Sequence, residues 1–138
     1  MIKEIVKDEK ILTQKSERFE FGKDDYLIKD MIDTAEHYKD NCAGLACIQI
    51  GIPKRVILVR QGDKFIPFIN PMMVQRSNKT YIAKEKCLSV DGVRTVRRFN
   101  AIKVIYSTQE NKTKCMTFSG FTAQIIQHEI DHLNGILI

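Results

Sequence analysis

The chain has 138 residues, of which 43% are hydrophobic and 28% are charged, a balance typical of one folded domain and not of a disordered segment. No apolar run approaches the roughly 20 residues that a membrane-spanning helix requires, and the N-terminal residues lack the apolar core of a secretion signal. We therefore expect a single domain over residues 1–138, located in the cytoplasm and without a membrane partner. There, the four cysteines are expected to be free thiols or metal ligands.

The formal net charge is +5, and part of the positive excess lies in the segment Arg94–Arg98. A basic protein can associate weakly with a ribosome through its RNA. The chain has no recognised nucleic-acid motif, however, so an ordinary solvated basic surface is favoured and no specific nucleic-acid partner is expected.

The first 22 residues are predicted to form an extended arm with a short turn at residues 8–10. Residues 24–40 are predicted to form a helix, because apolar side chains recur at helical spacing from Leu27 to Tyr38. His37 lies on this helix, and no second ligand lies near it in the sequence. We therefore expect an exposed or partly buried histidine and not a metal ligand.

Residues 42–51 (Cys-Ala-Gly-Leu-Ala-Cys-Ile-Gln-Ile-Gly) are dominated by small side chains, so their backbone can approach another backbone or a ligand closely. Gln49 is a lone amide in this apolar stretch, and a buried glutamine needs hydrogen-bond partners. It either bonds its own loop, which is favoured on spacing alone, or donates to a substrate oxygen.

The middle of the chain is predicted to be β structure, with strands at residues 55–60, 65–71, 72–76, 80–83, 101–106 and 113–118. The prolines in 65–71 predict an edge or irregular strand. Cys115 is predicted to be a small core residue, whereas Cys87 lies in a turn-rich segment where its thiolate can face another element. The fold class is therefore predicted to be α+β, with short antiparallel strands packed around a C-terminal helix and with an N-terminal helix.

The C-terminal helix is predicted to begin near Gly120 and to end at Gly135. His128 and His132 are four residues apart on it, so both side chains can point at one metal ion. Glu129 completes the His-Glu-x-x-His arrangement, in which the glutamate is the general base of a metal-assisted hydrolysis. Two ordinary surface histidines are disfavoured, because two of the three histidines in the chain fall at this spacing.

A catalytic metal usually has three protein ligands and a water. Only six residues follow His132, and none is a plausible ligand, which disfavours an ordinary metallopeptidase with a downstream third ligand. The third ligand must therefore lie upstream. The candidates are Cys42, Cys47, Cys87, Cys115, His37 and several carboxylates.

Three segments together resemble the motifs of the peptide deformylase family. These are residues 44–51 (Gly-Leu-Ala-Cys-Ile-Gln-Ile-Gly), residues 85–89 (Glu-Lys-Cys-Leu-Ser) and residues 127–135 (Gln-His-Glu-Ile-Asp-His-Leu-Asn-Gly). Their order and separation also fit, and the similarity spans most of the chain. The resemblance implies an enzyme that removes the N-formyl group from the N-terminal methionine of newly synthesised proteins.

The resemblance also implies one divalent metal ion bound by Cys87, His128 and His132. Ferrous iron is the implied native metal, and zinc, nickel or cobalt can occupy such a site. The ligand types alone would favour zinc, so iron is what the family resemblance adds.

The remaining catalytic roles are implied in the same way. Glu129 would take a proton from the attacking water and pass it to the departing amine. The Gln49 side-chain amide and the Leu88 backbone N–H would stabilise the negative charge that develops on the formyl oxygen.

The substrate would lie extended beside the backbone of Ala43 and Gly44, pairing like an added strand. Its methionine side chain would enter a pocket walled by Ala43, Phe121 and Ile125. Two contacts are expected behind the site. Glu85 would bond the free N–H of a ligand histidine, and Arg98 would pair with Asp131.

Four residues depart from the family pattern. Lys86 and Cys42 replace glycines, Asp91 replaces a common proline and Cys47 replaces a common alanine. Lys86 and Cys42 bear on substrate fit more than on metal binding, and Lys86 can also attract an acidic substrate end. They raise the alternative of a deformylase-like protein with weak activity or a different N-acyl substrate. A non-catalytic metal-stapled peptide-binding domain is a further alternative, which does not explain the general base.

Overall fold

The structure, a computed structural model, describes residues 1–138. Its helices and strands are α1 (Glu9–Leu12), α2 (Tyr26–His37), β1 (Gly44–Ala46), β2 (Val56–Gln61), β3 (Lys64–Arg76), β4 (Thr80–Cys87), β5 (Val90–Phe99), β6 (Ala101–Ser107), β7 (Thr113–Ser119) and α3 (Gly120–Leu133). All strand pairs in the two sheets are antiparallel. The predicted α+β class is confirmed.

Five strands form one sheet in the order β1-β2-β3-β6-β7, and β4 and β5 form a separate hairpin. β2 is buried on both faces because its side chains alternate between two cores. Val56 and Leu58 pack with residues of α2, whereas Ile57 and Val59 pack with residues of α3. β2 therefore lies between α2 on one face of the sheet and α3 on the other.

The C-terminal end of α3 is fixed by close contacts. Gly135 has a φ of +75°, and a Cβ atom there would lie 2.4 Å from the carbonyl oxygen of Thr13, so no side chain fits. Arg55 donates to the carbonyl oxygen of Leu133 at 3.2 Å, one of the carbonyls that a helix end leaves without a partner. The helix that carries the two histidines is therefore held firmly at this end.

Of the two alternatives predicted for residues 65–71, an edge strand or an irregular strand, only the second is observed, and the prediction for Cys115 is wrong. β3 is not an edge strand but lies between β2 and β6. Pro67 is accommodated because β6 joins the ladder only from Ile69 onward, and the register shift between Ile69 and Met72 makes the strand irregular, as predicted. Cys115 is exposed and not in the core, because β7 is an edge strand with little cover on either face.

The ends of the predicted elements also differ. The N-terminal arm contains the single turn of α1, whose Asp8 side chain accepts a hydrogen bond from the backbone N–H of Lys10. α2 ends at His37, before the predicted residue 40, and β5 is absent from the predicted strands. No helix is both long enough and apolar enough to cross a membrane.

Candidate active site

α3 brings His128 and His132 together in the interior of the protein. Both side chains are buried, and their Nε2 atoms are 3.3 Å apart. This proximity follows from the helical repeat, which places residues four apart on one face.

Cys87 supplies the third potential ligand from the end of β4. Its Sγ atom lies 3.3 Å from Nε2 of His132, and the donor atoms of Cys87, His128 and His132 all lie within 4.8 Å of one another. The other upstream candidates, which are Cys42, Cys47, Cys115 and His37, are not part of this group.

The spacing of these donors fits a single divalent ion. An ion with tetrahedral bonds of about 2.0–2.3 Å to nitrogen and sulfur separates its ligand atoms by about 3.3–3.7 Å. The two separations of 3.3 Å agree with that geometry. One thiol and two imidazoles also form a donor set typical of zinc or a related transition metal.

Glu85 contacts the candidate metal ligand His128 from the side opposite the donor cluster. Its Oε1 atom lies 2.7 Å from Nδ1 of His128, which leaves Nε2 of that ring facing the donor cluster. Arg98 binds both oxygens of Glu85, at 2.9 and 2.6 Å, and reaches Asp131 at 2.6 Å. The expected contacts of Glu85 and Arg98 are therefore both present, and they join the β4–β5 hairpin to α3.

The protonation state of Glu85 is governed by its hydrogen bonds more than by its burial. Burial raises the pKa of Glu85, but the hydrogen bonds from Arg98 and His128 outweigh it and lower the pKa to about 2. Glu85 is therefore a carboxylate at neutral pH. The Nδ1 atom of His132, by contrast, has no hydrogen-bond partner within the protein, so only one of the two rings is oriented in this way.

The two histidines differ in their affinity for protons. Burial and the neighbouring His128 lower the pKa of His132 to about 3. Burial also disfavours the charged form of His128, but its hydrogen bonds to Cys87 and Glu85 outweigh burial and raise its pKa to about 10. A metal ion bound by both rings would displace the additional proton that His128 carries as an imidazolium.

Glu129 is buried beside the donor cluster, and its environment suits a general base. Burial raises the pKa of its carboxyl group to about 7, near the value at which a base accepts and returns protons efficiently. Its Oε1 atom has no hydrogen-bond partner within the protein, as expected of an oxygen that binds a water or a substrate group. A Cβ atom at Gly44 would lie 2.9 Å from Glu129 Oε2, so the glycine provides space for this carboxylate.

Gln49 connects its own loop to the donor cluster. Its Oε1 atom accepts a hydrogen bond from the backbone N–H of Ala46 at 3.0 Å, which turns the side-chain NH₂ group in the opposite direction. That group lies 3.4 Å from Sγ of Cys87 and 3.2 Å from Oγ of Ser89. Both uses considered for Gln49 are therefore compatible, because its oxygen bonds the loop and its NH₂ group faces the cluster.

A cleft of about 430 Å³ opens onto this cluster. Nine of the ten predicted site residues line it, namely Ala43, Gly44, Gln49, Cys87, Leu88, Phe121, Ile125, His128 and Glu129. The tenth, His132, is fully buried beside them. β1 has β2 on one side only, so the edge at Ala43 and Gly44 can accept an extended peptide.

Two features of the site were not predictable from residue spacing. Ser89 is buried and accepts from Gln49, and Cys42 is buried with its thiol donating to the carbonyl oxygen of Gly44 at 3.2 Å. The sequence signal for Ser89 is its place in the motif of residues 85–89. The sequence gives no such signal for Cys42, because the hydrogen bond of its thiol to Gly44 depends on the path of the backbone between them.

Comparison with known proteins agrees with this geometry. The family model described as Polypeptide deformylase matches residues 2–138. The chain belongs to the polypeptide deformylase family. Members of this family are metallohydrolases that remove the formyl group from the N-terminal methionine of polypeptides, and this activity is accordingly that of the chain.

Individual relatives match the deformylase chain over its whole length. A peptide deformylase of Clostridium beijerinckii is 45% identical over 139 residues and covers 100% of both chains. A class I type b peptide deformylase of Acinetobacter baumannii, solved with Met-Ala-Ser bound, has a TM-score of 0.89 at 32% identity and covers 99% of this chain and 97% of its own. The peptide deformylase of Thermotoga maritima has a TM-score of 0.90 at 30% identity, with 99% and 95% covered.

Proposed function

We propose that residues 1–138 form one catalytic domain in which Cys87, His128 and His132 hold a single divalent ion. The observation that carries this proposal is the group of three donors beside a buried carboxylate. When bound, the ion would act as a Lewis acid that activates a water and polarises the formyl carbonyl.

Glu129 is the general base and acid of the proposed reaction. It takes a proton from the attacking water and later passes it to the departing amine of the substrate. A raised pKa of about 7 supports both roles, since the carboxyl group can accept the proton and release it at neutral pH. The unpaired Oε1 atom is available to orient the water.

Gln49 and Leu88 stabilise the negative charge that develops on the formyl oxygen. The Gln49 NH₂ group faces the cluster because the amide oxygen is held by Ala46. The backbone N–H of Leu88 follows directly after Cys87 and lines the same cleft. Donors fixed in advance stabilise a transition state without reorganisation when the charge appears.

The substrate is an N-formylmethionyl nascent polypeptide. Its backbone lies along the open edge at Ala43 and Gly44, and its methionine side chain contacts Phe121 and Ile125. The A. baumannii relative was solved with Met-Ala-Ser bound, which supports a peptide ligand that begins with methionine.

Ferrous iron is the proposed native metal, with zinc, nickel or cobalt as alternative occupants. Loading the protein anaerobically with each ion in turn, and measuring both bound metal and turnover, would test this assignment. Iron supporting the slowest turnover of the four would contradict it.

We propose a cytoplasmic location, where the positive charge of +5 allows weak association with ribosomes as the alternative to an ordinary solvated basic surface. Such contacts weaken steeply as salt increases. Cosedimentation with ribosomes at low salt that is lost at physiological salt would support this association, whereas no cosedimentation at low salt would contradict it.

The reaction itself is tested by comparing formyl-Met-Ala-Ser with acetyl-Met-Ala-Ser as substrates of iron-loaded protein. Release of formate without release of acetate is the expected result. Turnover of both peptides would mean a broader N-acyl substrate range. Turnover of neither by folded, metal-loaded protein would favour a peptide-binding role.

A further inference from the structure

The rim of the active-site cleft carries positive charge on both walls. Lys84 and Lys86 belong to β4 on one wall, and Lys39 and Arg60 lie on the side of β1. Among the residues that line the cleft, the acidic side chains are Asp40, Glu85 and Glu129. Only Asp40 is exposed, since the other two are buried.

Lys84 and Lys86 have no carboxylate partner within the protein. They alternate with the buried residues Ala83 and Glu85, so they share the solvent face of β4. Neither forms a salt bridge, whereas Lys23, Lys29 and Lys54 each have a carboxylate partner. Their ammonium groups are therefore available to a ligand in the cleft.

Arg60 is fixed in place on the opposite wall. Its Nη1 atom donates to the carbonyl oxygen of Lys39 at 2.6 Å, and its guanidinium lies 5.7 Å from the ring centre of Phe65. These contacts involve no carboxylate, so the charge of Arg60 is not neutralised. A peptide that leaves the cleft passes between two positively charged walls.

The position of the lysines indicates which substrate residues they meet. Lys86 directly precedes the ligand Cys87, and Lys84 lies about 6.6 Å further along the extended strand. A peptide held by its formyl group at the donor cluster advances outward by about 3.3 Å per residue. The side chains of its second to fourth residues therefore reach the region of Lys84 and Lys86.

We propose that Lys84 and Lys86 make this deformylase selective for formylated chains with aspartate or glutamate among residues 2 to 4. The proposal rests on the proposed function, because it assumes that the formyl group binds at the Cys87 cluster. An acidic side chain gains attraction to the rim, whereas a lysine at the same position is repelled. Exposed pairs of this kind change affinity by about two- to fivefold at low salt.

The test uses amidated peptides, so that no terminal carboxylate contributes charge. The value of kcat/KM is measured at low salt for formyl-Met-Ala-Ser-amide, formyl-Met-Glu-Ser-amide and formyl-Met-Lys-Ser-amide. The glutamate peptide is expected to exceed the lysine peptide by about fivefold or more, mainly through KM, and the difference should shrink at high salt. Equilibrium binding of the unformylated peptides gives the same comparison without catalysis.

The Lys84→Glu, Lys86→Glu double variant is expected to invert the ratio between the two charged peptides. A matched control, Lys64→Glu with Lys112→Glu, changes the net charge equally at two exposed positions outside the cleft and should keep the wild-type ratio. Equal kcat/KM and equal binding for the charged peptides in the wild-type protein would overturn the proposal, as would inversion in the control variant. Failure of all three peptides to react would instead refute the proposed function. Turnover of the neutral peptide is enough to show that the proposed function holds, whatever the ratio between the charged peptides.

Discussion

Glu85 makes three short contacts through its two carboxylate oxygens, one with the candidate metal ligand His128 and two with Arg98. Its Oε1 atom meets both His128 and Arg98, and its Oε2 atom meets Arg98. Because the carboxylate is buried, these contacts are not weakened by solvent as surface pairs are. The orientation of the His128 ring therefore depends on the charge of Glu85.

We predict that Glu85→Gln lowers metal affinity by about 10- to 100-fold, the range found when such supporting groups are removed. The glutamine keeps the shape of the side chain but loses the negative charge and one acceptor. Competition with a chelator measures the affinity, and Glu110→Gln in an exposed turn is the control. Equal affinity in all three proteins would show that Glu85 does not support the metal.

Gly44 is needed for packing as well as for substrate approach. A Cβ atom there would lie 2.7 Å from Cγ2 of Ile125 and 2.9 Å from Oε2 of Glu129. We predict that Gly44→Ala destabilises the fold by about 1–3 kcal/mol through overpacking and lowers kcat by displacing Glu129. Urea unfolding and formyl-peptide kinetics measure the two effects.

The control for Gly44 is Gly62→Ala, which strains a turn residue with a φ of +63° and meets no atom within 4 Å. It should reduce stability while leaving kcat unchanged. A Gly44→Ala protein with wild-type stability and kcat would contradict the packing described here.

The site forms only where the β4–β5 hairpin packs against α3. β4 supplies Cys87 and Glu85, α3 supplies the histidines, and Arg98 of β5 reaches both Glu85 and Asp131. The hairpin is not part of the five-stranded sheet. Its position over α3 therefore depends on side-chain contacts of this kind.

We predict that a double-mutant cycle with Arg98→Gln and Asp131→Asn gives a coupling energy of about 1–3 kcal/mol in unfolding experiments. Arg98 is buried, so its partners are poorly replaced by water. The exposed pair Lys29–Asp33 serves as the control and should give about 0.5 kcal/mol or less. A coupling near zero for Arg98 and Asp131 would show that this bridge does not fasten the hairpin.

α3, β5 and β4 differ in how much of their structure could be predicted from the sequence. α3 was predictable because its bounding glycines, its apolar spacing and its His-Glu-x-x-His motif all indicate the same helix. β5 was not, since its arginines and glycine hide the alternation and only Arg98 is buried. The third ligand could not be selected from spacing either, because β4 approaches α3 only through tertiary packing. The family resemblance supplied Cys87 as the candidate.

Two buried thiols lower the stability of the whole protein as the pH becomes alkaline. Burial raises the pKa of both Cys42 and Cys47 to about 12, from an ordinary value of 9.0. Below pH 9 the thiols are protonated in the folded and the unfolded chain alike. Above that pH the unfolded chain ionises first, so the free energy of unfolding falls by about 1.4 kcal/mol per pH unit for each thiol.

We predict that Cys47→Ala removes the contribution of one thiol to the pH dependence of the free energy of unfolding. Between pH 8 and pH 10, the free energy of unfolding should fall by about 1.4 kcal/mol less in this variant than in the wild-type protein. Urea unfolding under reducing conditions measures it, and Cys115→Ala, which removes an exposed thiol, should behave as wild type. Identical pH dependence in all three proteins would contradict the assignment.

We propose that Glu129 acts as a base beside a metal held by Cys87, His128 and His132. The most direct test measures formate release from formyl-Met-Ala-Ser together with bound metal, for wild-type protein and Glu129→Gln loaded anaerobically with ferrous iron. We predict rapid release by the wild-type protein and a loss of at least about 100-fold in the variant, with one equivalent of metal bound to each. Comparable turnover in the variant would contradict the assigned role of Glu129.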